Sequence, residues 1–472
     1  MKRTKIVATL GPSSSDKETL RQMFIEGVNV CRLNFSHGSH EDHAKMIAII
    51  RELNDETGLN VAILGDLQGP KIRTNEIENN GVDLETGSTV TVVTEKIVGT
   101  KDKFSINYSG LPQDVKPGER ILLDDGKIII EVTKTDGVKE IEAKVIYGGI
   151  LSSKKGVNFP NTKISMPSLT EKDRQDLDFA LEHDIDWIGL SFVRTARDII
   201  ELKHLISKSK GKAKVIAKIE KPEAIDEIDE IIEVSDALMV ARGDLGVEVP
   251  YESVPLLQKM MIKKCTIHAK PIIVATQMME SMIKNLTPSR AEVNDVANAV
   301  LDGADAVMLS GETSVGIHPI EVIKTMTRIV TEMEGFEGIY NKEEVPEKNN
   351  ERFISDSICY NACRLSQRVS SDAIITMSYS GYTAYKIASQ RPKAPIYVFT
   401  SNTQILTQLS LIWGVKGFYY DERISTDHSI ADIKFILKQK GLLNTGDLVI
   451  NITSIPIEEN GKSNMLKLSE VE

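Results

Sequence analysis

Short, dense apolar runs recur along the chain, each followed by a stretch of helical periodicity. KIVATLG (5–11), VNVCRLNF (28–35) and VAILGDL (61–67) are apolar almost throughout, the pattern of parallel strands buried on both faces. Between them DKETLRQMFIEG, opened by Ser13–Asp16 and stopped at Gly27, predicts a helix, as does a stretch over 40–57 stopped at Gly58. The alternation resumes at Pro167. LTEKDRQDLDFALEH and TARDIIELKHLISKS read as helices, and WIGLSF (187–192), KVIAKIE (214–220), ALMVARG (237–243), PIIVATQ (271–277) and AVMLSGE (306–312) as strands. Between the last two, SRAEVNDVANAVLDG is a helix with Pro288 before its start and Gly303 at its end. Eight strand–helix units over residues 1–73 and 166–340 match the roughly 250 residues of a closed (β/α)8 TIM barrel.

Two segments break the period. From Thr74 to Ser165 the pattern alternates with period two, in STVTVVTE, RILLDDGKIIIEV and VKEIEAKVIYGG, which predicts an inserted all-β domain, a small barrel, over 74–165. Residues 341–352 are polar and read as a linker, after which helix and strand alternate again. ISDSICYNACRLSQRV is a helix, DAIITMS, APIYVFTS, VKGFYY and DLVINIT are strands, and 341–472 is expected to form an open, doubly wound α/β domain. No internal repeat is visible.

A barrel of this kind places its chemistry at the carboxyl ends of the strands. Those ends carry Arg32, Asn34 and Ser36; Asp66; Lys218 and Glu220; Arg242, Gly243 and Asp244; Thr276; Ser310 and Glu312, while the amino ends show little but lysines and prolines. A lysine and two acids closing neighbouring buried strands are costly unless paired, and they suit a divalent metal and an anionic substrate. Arg32, Arg73 and Lys218 are cations suited to phosphate; Glu220 and Asp244 are oxygen ligands suited to Mg2+. Both signs on one face are what phosphoryl transfer needs. GDLG offers backbone N–H groups to a carboxylate, and Thr276 a hydroxyl to order a proton.

Composition narrows this further. The 472 residues carry 57 basic and 68 acidic side chains, a net charge of −11, with no basic block, so neither nucleic acid nor an anionic membrane is an expected partner. No apolar run is long enough for a signal or a span, and a cytoplasmic location is expected. Cys31, Cys265, Cys359 and Cys363 are too scattered for a disulfide framework and read as reduced packing residues. His37, His40 and His43 at three-residue spacing turn by about 100° each on a helix and do not share one metal easily. There is no Walker A or GxGxxG loop. In the C-terminal unit SYSGYTA (378–384) sets hydroxyls and Gly381 at a helix start, either an anion pocket or an ordinary turn with nothing bound.

The strings CRLNFSHG, GDLQGPKIRT, KKGVNFP, KIEKPEA, VARGDLGVE, ATQMMESM and MLSGET, in this order, closely resemble pyruvate kinases, of the bacterial type without a C-terminal extension domain. The resemblance implies phosphoryl transfer from phosphoenolpyruvate to ADP, giving pyruvate and ATP at the last step of glycolysis, in a homotetramer. It makes Lys218 the stabiliser of the phosphoryl in flight, Glu220 and Asp244 the Mg2+ ligands, and Arg32 a phosphate contact. Gly243 and Asp244 would seat the substrate carboxylate, with Thr276 near the enol carbon. Arg73, Lys155 and His37 would contact the nucleotide. Asn34, Ser36, Asp66 and the Leu67 carbonyl match the monovalent-cation (K+) site. Ser378, Ser380, Gly381 and Thr383 fall on the effector turn.

Two departures stand out. Potassium-dependent members carry an acid where this chain has Lys71, and a Thr-Lys pair where it has Leu67 and Gln68; a tethered ammonium in place of the ion predicts activity without K+. Members activated by fructose bisphosphate place basic residues in the effector turn. Here the turn has Tyr379 and Tyr382, facing a TSIPIEENG tail with Ile455-Pro456, so weak or no activation by that sugar is expected. A magnesium–enolate aldolase or lyase would explain Glu220 and Asp244 but not Lys218 beside them. A regulatory binding protein would leave the barrel mouth unexplained.

Overall fold

The computed structural model describes all residues except Met1, Asn161, Asn349, 423–424 and 456–461. Eight parallel strands close into a barrel: β1 (Lys5–Thr9), β2 (Val30–Asn34), β3 (Ala62–Asp66), β4 (Trp187–Leu190), β5 (Lys214–Ile219), β6 (Ala237–Ala241), β7 (Ile272–Ala275) and β8 (Ala306–Leu309). β8 returns to pair with β1 in the register Lys5 with Ala306 through Ala8 with Leu309. The strands are apolar on both faces because one face fills the barrel interior and the other meets the surrounding helices. Val7, Val30, Leu64, Trp187, Ile216, Met239, Ile273 and Met308 form one inner cluster, and Ile6, Ile63, Ile188, Val215 and Val240 belong to the larger layer shared with the helices. Helix starts follow the polar signals in the chain. Asp16 accepts from Thr19 N, and Ser39, Thr170 and Ser289 each close a reciprocal capping box.

The amino ends of the strands are not bare, contrary to the sequence expectation. Asn29, Asp186, Asp236 and Asp305 each sit immediately before an even-numbered strand. Each takes a backbone N–H from the start of the odd-numbered strand before it: Ile6 (3.0 Å), Ile63 (2.7 Å), Val215 (2.9 Å) and Ile272 (3.0 Å). At the floor of a parallel barrel these N–H groups lack a ladder partner and would be buried unsatisfied, so a short acceptor is placed four times over. The same floor receives the C-terminal unit. Asp186 accepts from the Thr407 hydroxyl, Arg391 pairs with Asp305 at 3.1 Å, Lys214 donates to the Tyr385 hydroxyl at 2.7 Å, and Lys5 to the Val415 carbonyl at 2.7 Å.

The inserted segment builds a six-stranded sheet and a two-stranded ribbon over one apolar core. Its strand hydrogen bonding does not run full circle; instead Arg73 and Thr74 bridge its two sides, to Gly156 and Ile106, and complete a barrel-like wall. The C-terminal sheet has five strands. Four are parallel, and the fifth, Met465–Glu470, pairs antiparallel with Leu448–Thr453. That edge strand is half exposed and charged, so its apolar signal was too weak to read beforehand. All four cysteines are free and buried, and burial pushes the Cys359 thiol up to about 12. Among the described residues no helix is long and apolar enough to cross a membrane.

Candidate active site

Three strand ends converge on Lys218. It lies near the end of β5, its ammonium 3.1 Å from Asp66 Oδ1 at the end of β3 and 3.0 Å from Glu220 Oε1 two residues on. It also donates to Ser191 Oγ, just past β4, at 2.6 Å. Burial alone would strip the proton from this lysine, but the two carboxylates outweigh it and hold the pKa far above the ordinary value. The side chain is therefore a permanent positive charge in a closed site. Asp66 is 1% exposed and receives Arg32 as well, through Nε at 2.7 Å and the outer guanidinium nitrogen at 2.6 Å. Burial works to raise its pKa, yet Lys218 and Arg32 together keep it below the usual carboxylate value. Arg32 is oriented from the other side by Thr9 Oγ1 at 3.0 Å.

Glu220 is 1% exposed, and burial pushes its carboxyl up, with Lys218 opposing and the Asp244 charge adding to the rise. Glu220 is buried and Asp244 more than a third exposed, so one acid is fixed in the wall and the other reaches solvent. Hard oxygen donors in this number suit Mg2+, which keeps its other positions for water and substrate oxygens. Asp244 lies in the first turn of the short helix Arg242–Glu248 directly after β6, and its Oδ1 is 3.5 Å from Lys71 Nζ. The ion pair of Lys71 is thus with Asp244, whereas Asp66 has Arg32 and Lys218. Gly243 packs on Thr276: a Cβ there would meet Thr276 Cγ2 at 2.7 Å, so glycine lets the two strand ends touch.

Thr276 and Gln277 leave β7 with φ of 76° and 57°, a left-handed turn that a β-branched residue adopts only when its surroundings impose it. Arg242 imposes it. Its guanidinium donates to the Ala275 and Thr276 carbonyls at 3.2 and 2.8 Å, and it is anchored by Asp295 through two bonds of 2.6 Å. Asn34 Oδ1 accepts from Ser36 N at 3.1 Å, and the Leu67 carbonyl accepts from Ser191 Oγ at 2.7 Å. Arg73 and Lys155 meet at the base of the inserted sheet, where Arg73 bridges Gly156 and Lys155 pairs with Asp124 at 3.0 Å. His37 is exposed beside the mouth, and its carbonyl takes the ring N–H of His43 at 2.9 Å. His40 stacks on Phe179 and pairs with Asp176, so the three histidines have separate surroundings. The inserted sheet faces this mouth: a cavity of about 40 Å3 is lined by Lys71, Phe192 and Asp244 on one side and Gly156–Phe159 on the other.

The turn at 378–384 lies elsewhere, in the C-terminal unit. Gly381, at φ 80°, opens the helix Tyr382–Ser389 and donates to Ser378 Oγ at 3.0 Å. Ser378, Ser380 and Thr383 line a cavity of about 130 Å3. The turn itself carries no cation, as its Tyr379 and Tyr382 indicate, but Arg352, stacked over Tyr382, and Lys462 also line the cavity, with Glu422. Both cations are distant from the turn in sequence, and only the fold brings them there. Residues 456–461 of the expected acidic tail lie outside the described residues. Sequence reasoning also missed Ser191, Phe192, Arg242 as a clamp, and Asp295. The charged ends of ARGD and LSF were visible signals, but their partners were not.

A closed (β/α)8 barrel with a locked lysine, paired carboxylates and phosphate-suited arginines at its carboxyl mouth is the architecture of a phosphotransferase. Models of two domains match the chain, "Pyruvate kinase, barrel domain" over residues 1–323 and "Pyruvate kinase, alpha/beta domain" over 356–469. The pyruvate kinase of Geobacillus stearothermophilus is 44% identical over 471 residues, covering 99% of this chain and 80% of that protein. That of Bacillus licheniformis is 43% identical over 472 residues, with the same coverage. A crystal structure of a pyruvate kinase from Cryptosporidium parvum superposes with a TM-score of 0.93 at 35% identity, covering 100% of this chain and 96% of that one. The chain belongs to the pyruvate kinase family.

Proposed function

We propose that this protein transfers the phosphoryl group of phosphoenolpyruvate to ADP, giving pyruvate and ATP, as the last step of glycolysis in the cytoplasm. The observation that carries the reading is the Lys218 ammonium, held protonated between Asp66 and Glu220 at the barrel mouth. A fixed positive charge there needs no reorganisation when negative charge develops on the moving group. Arg32 contacts the substrate phosphate. The Gly243 and Asp244 backbone seats the carboxylate, and Thr276 orders the proton delivered to the enol carbon. Arg73, Lys155 and His37 bind the nucleotide beneath the inserted sheet, whose position over the mouth excludes water from the transfer. Glu220 and Asp244 hold Mg2+, which when bound neutralises charge on the phosphate oxygens.

Asn34, Ser36, Asp66 and the Leu67 carbonyl form the monovalent-cation position, and Lys71 supplies the charge K+ would bring, so turnover does not require potassium. Ser378, Ser380, Gly381 and Thr383, with Arg352 and Lys462, form an effector pocket. Two cations and an acid suit one phosphate better than two, which favours weak or absent activation by fructose bisphosphate. The domains are taken as 1–73 with 166–340, 74–165 and 341–472, assembled as a homotetramer. The test is coupled measurement of pyruvate from phosphoenolpyruvate with Mg2+, with and without ADP. Formation that requires ADP is expected; pyruvate formed equally well without ADP rejects the reading.

A further inference from the structure

We propose that Ser191 is a positioning residue for phosphoryl transfer, its hydroxyl fixing where the Lys218 ammonium points; the inference rests on the transfer reading above. Lys218 has a long, freely rotating stem, and the carboxylates of Asp66 and Glu220 attract its charge without defining its direction. Ser191 Oγ is its shortest contact, at 2.6 Å. The hydroxyl proton is committed to the Leu67 carbonyl at 2.7 Å, so an oxygen lone pair is presented to the lysine. The ammonium thereby has a third, directional partner besides the two acids, from a strand that carries neither of them.

The turn that carries Ser191 is itself constrained. β4 ends at Leu190, and the chain swings through Phe192 at φ 55°, a left-handed conformation unusual for an aromatic residue. That conformation aims the Phe192 N–H at Glu220 Oε2, 2.8 Å away, so one dipeptide orients both the lysine and the acid beside it. Gly69 keeps it in place. A Cβ on Gly69 would lie 2.9 Å from Ser191 Cβ and 2.9 Å from Phe192 Cδ2, so the backbone after β3 presses directly on the turn. Ser191 is 2% exposed, and its role is not that of a surface hydroxyl.

The test is Ser191→Ala, assayed beside the wild type. Displacement of a reacting group by about 1 Å costs on the order of 100-fold, so kcat is expected to fall roughly 10- to 100-fold. KM for phosphoenolpyruvate and ADP should stay within about threefold. Mn2+ affinity without substrate, followed by electron paramagnetic resonance, should also hold within about threefold, because the Phe192 N–H still orients Glu220. A kcat within threefold of wild type overturns the proposal, as does a loss shared equally by KM and Mn2+ affinity, which marks a general loosening of the site. A wild type that makes no pyruvate overturns the transfer reading itself, an outcome distinct from an active wild type with an unimpaired variant.

Discussion

Replacing Lys71 by glutamate tests whether a tethered ammonium substitutes for potassium. Lys71 Nζ lies 3.5 Å from Asp244 Oδ1, and both side chains are about one third exposed, at 35% and 37%. Two unit charges at this distance attract by roughly 1 kcal/mol in water and roughly 5 kcal/mol at an effective dielectric of 20. Solvent screening at this exposure places the useful value near the lower end, about 1–2 kcal/mol. Reversing the charge converts attraction into repulsion of similar size, so Lys71→Glu should lose about 2–4 kcal/mol at the Asp244 carboxylate. That corresponds to a roughly 30- to 900-fold drop in kcat/KM in tetramethylammonium buffer. Adding about 100 mM K+ should return at least tenfold of this to the variant while changing the wild type by less than about threefold. The assay is pyruvate formation with the two salts exchanged at constant ionic strength. A wild type strongly stimulated by K+, or a variant indifferent to it, refutes the reasoning.

Lys218→Met should lower the melting temperature, because Glu220 and Asp66 lose their buried partner, and lower turnover of the folded enzyme by roughly 1000-fold or more; near-normal ATP output would contradict the role. Asp186→Ala should destabilise the fold by about 1–3 kcal/mol in urea titration, because it strands the buried Ile63 N–H at the barrel floor. The isosteric Asp186→Asn should cost less, since burial already pushes the Asp186 carboxyl toward its neutral form. For His43, burial pushes the ring below its ordinary 6.5, so the native state resists a proton that the unfolded chain accepts. This contribution to stability is present above about pH 6.5 and is lost as pH falls through the lowered value. His43→Gln should flatten the decline in melting temperature between about pH 7 and 5; an identical decline would exclude His43 as a source. Fructose bisphosphate titrated at subsaturating phosphoenolpyruvate should change the rate by less than about twofold, and a large gain in apparent affinity would contradict the pocket's reading.

Strand ends were legible because charge that follows an apolar run can only be a strand leaving the core. Lys218, Glu220 and Asp244 were therefore readable as a group without coordinates. Their partners were not, because a hydrogen bond between β4 and β5 has no signature in either strand. Ser191 in WIGLSF looks like any polar residue after a strand until Leu67, Lys218 and Gly69 surround it. The acceptors at the barrel floor were missed for a different reason. Each is a lone Asn or Asp in a turn, and such residues are common in turns for local reasons. Only the closure of eight strands shows that Asn29, Asp186, Asp236 and Asp305 serve one purpose.

By itself the sequence determined the order of elements, the barrel and its insertion, and the residues able to carry charge at the mouth, because burial and periodicity are local properties of a chain. The tertiary structure decided which charges meet. It gave Lys71 to Asp244, Arg242 to Asp295, and Arg352 and Lys462 to the cavity beside the 378–384 turn. Pairing energies depend on distances between side chains that are far apart in the chain, and those distances exist only once the ring of strands has closed.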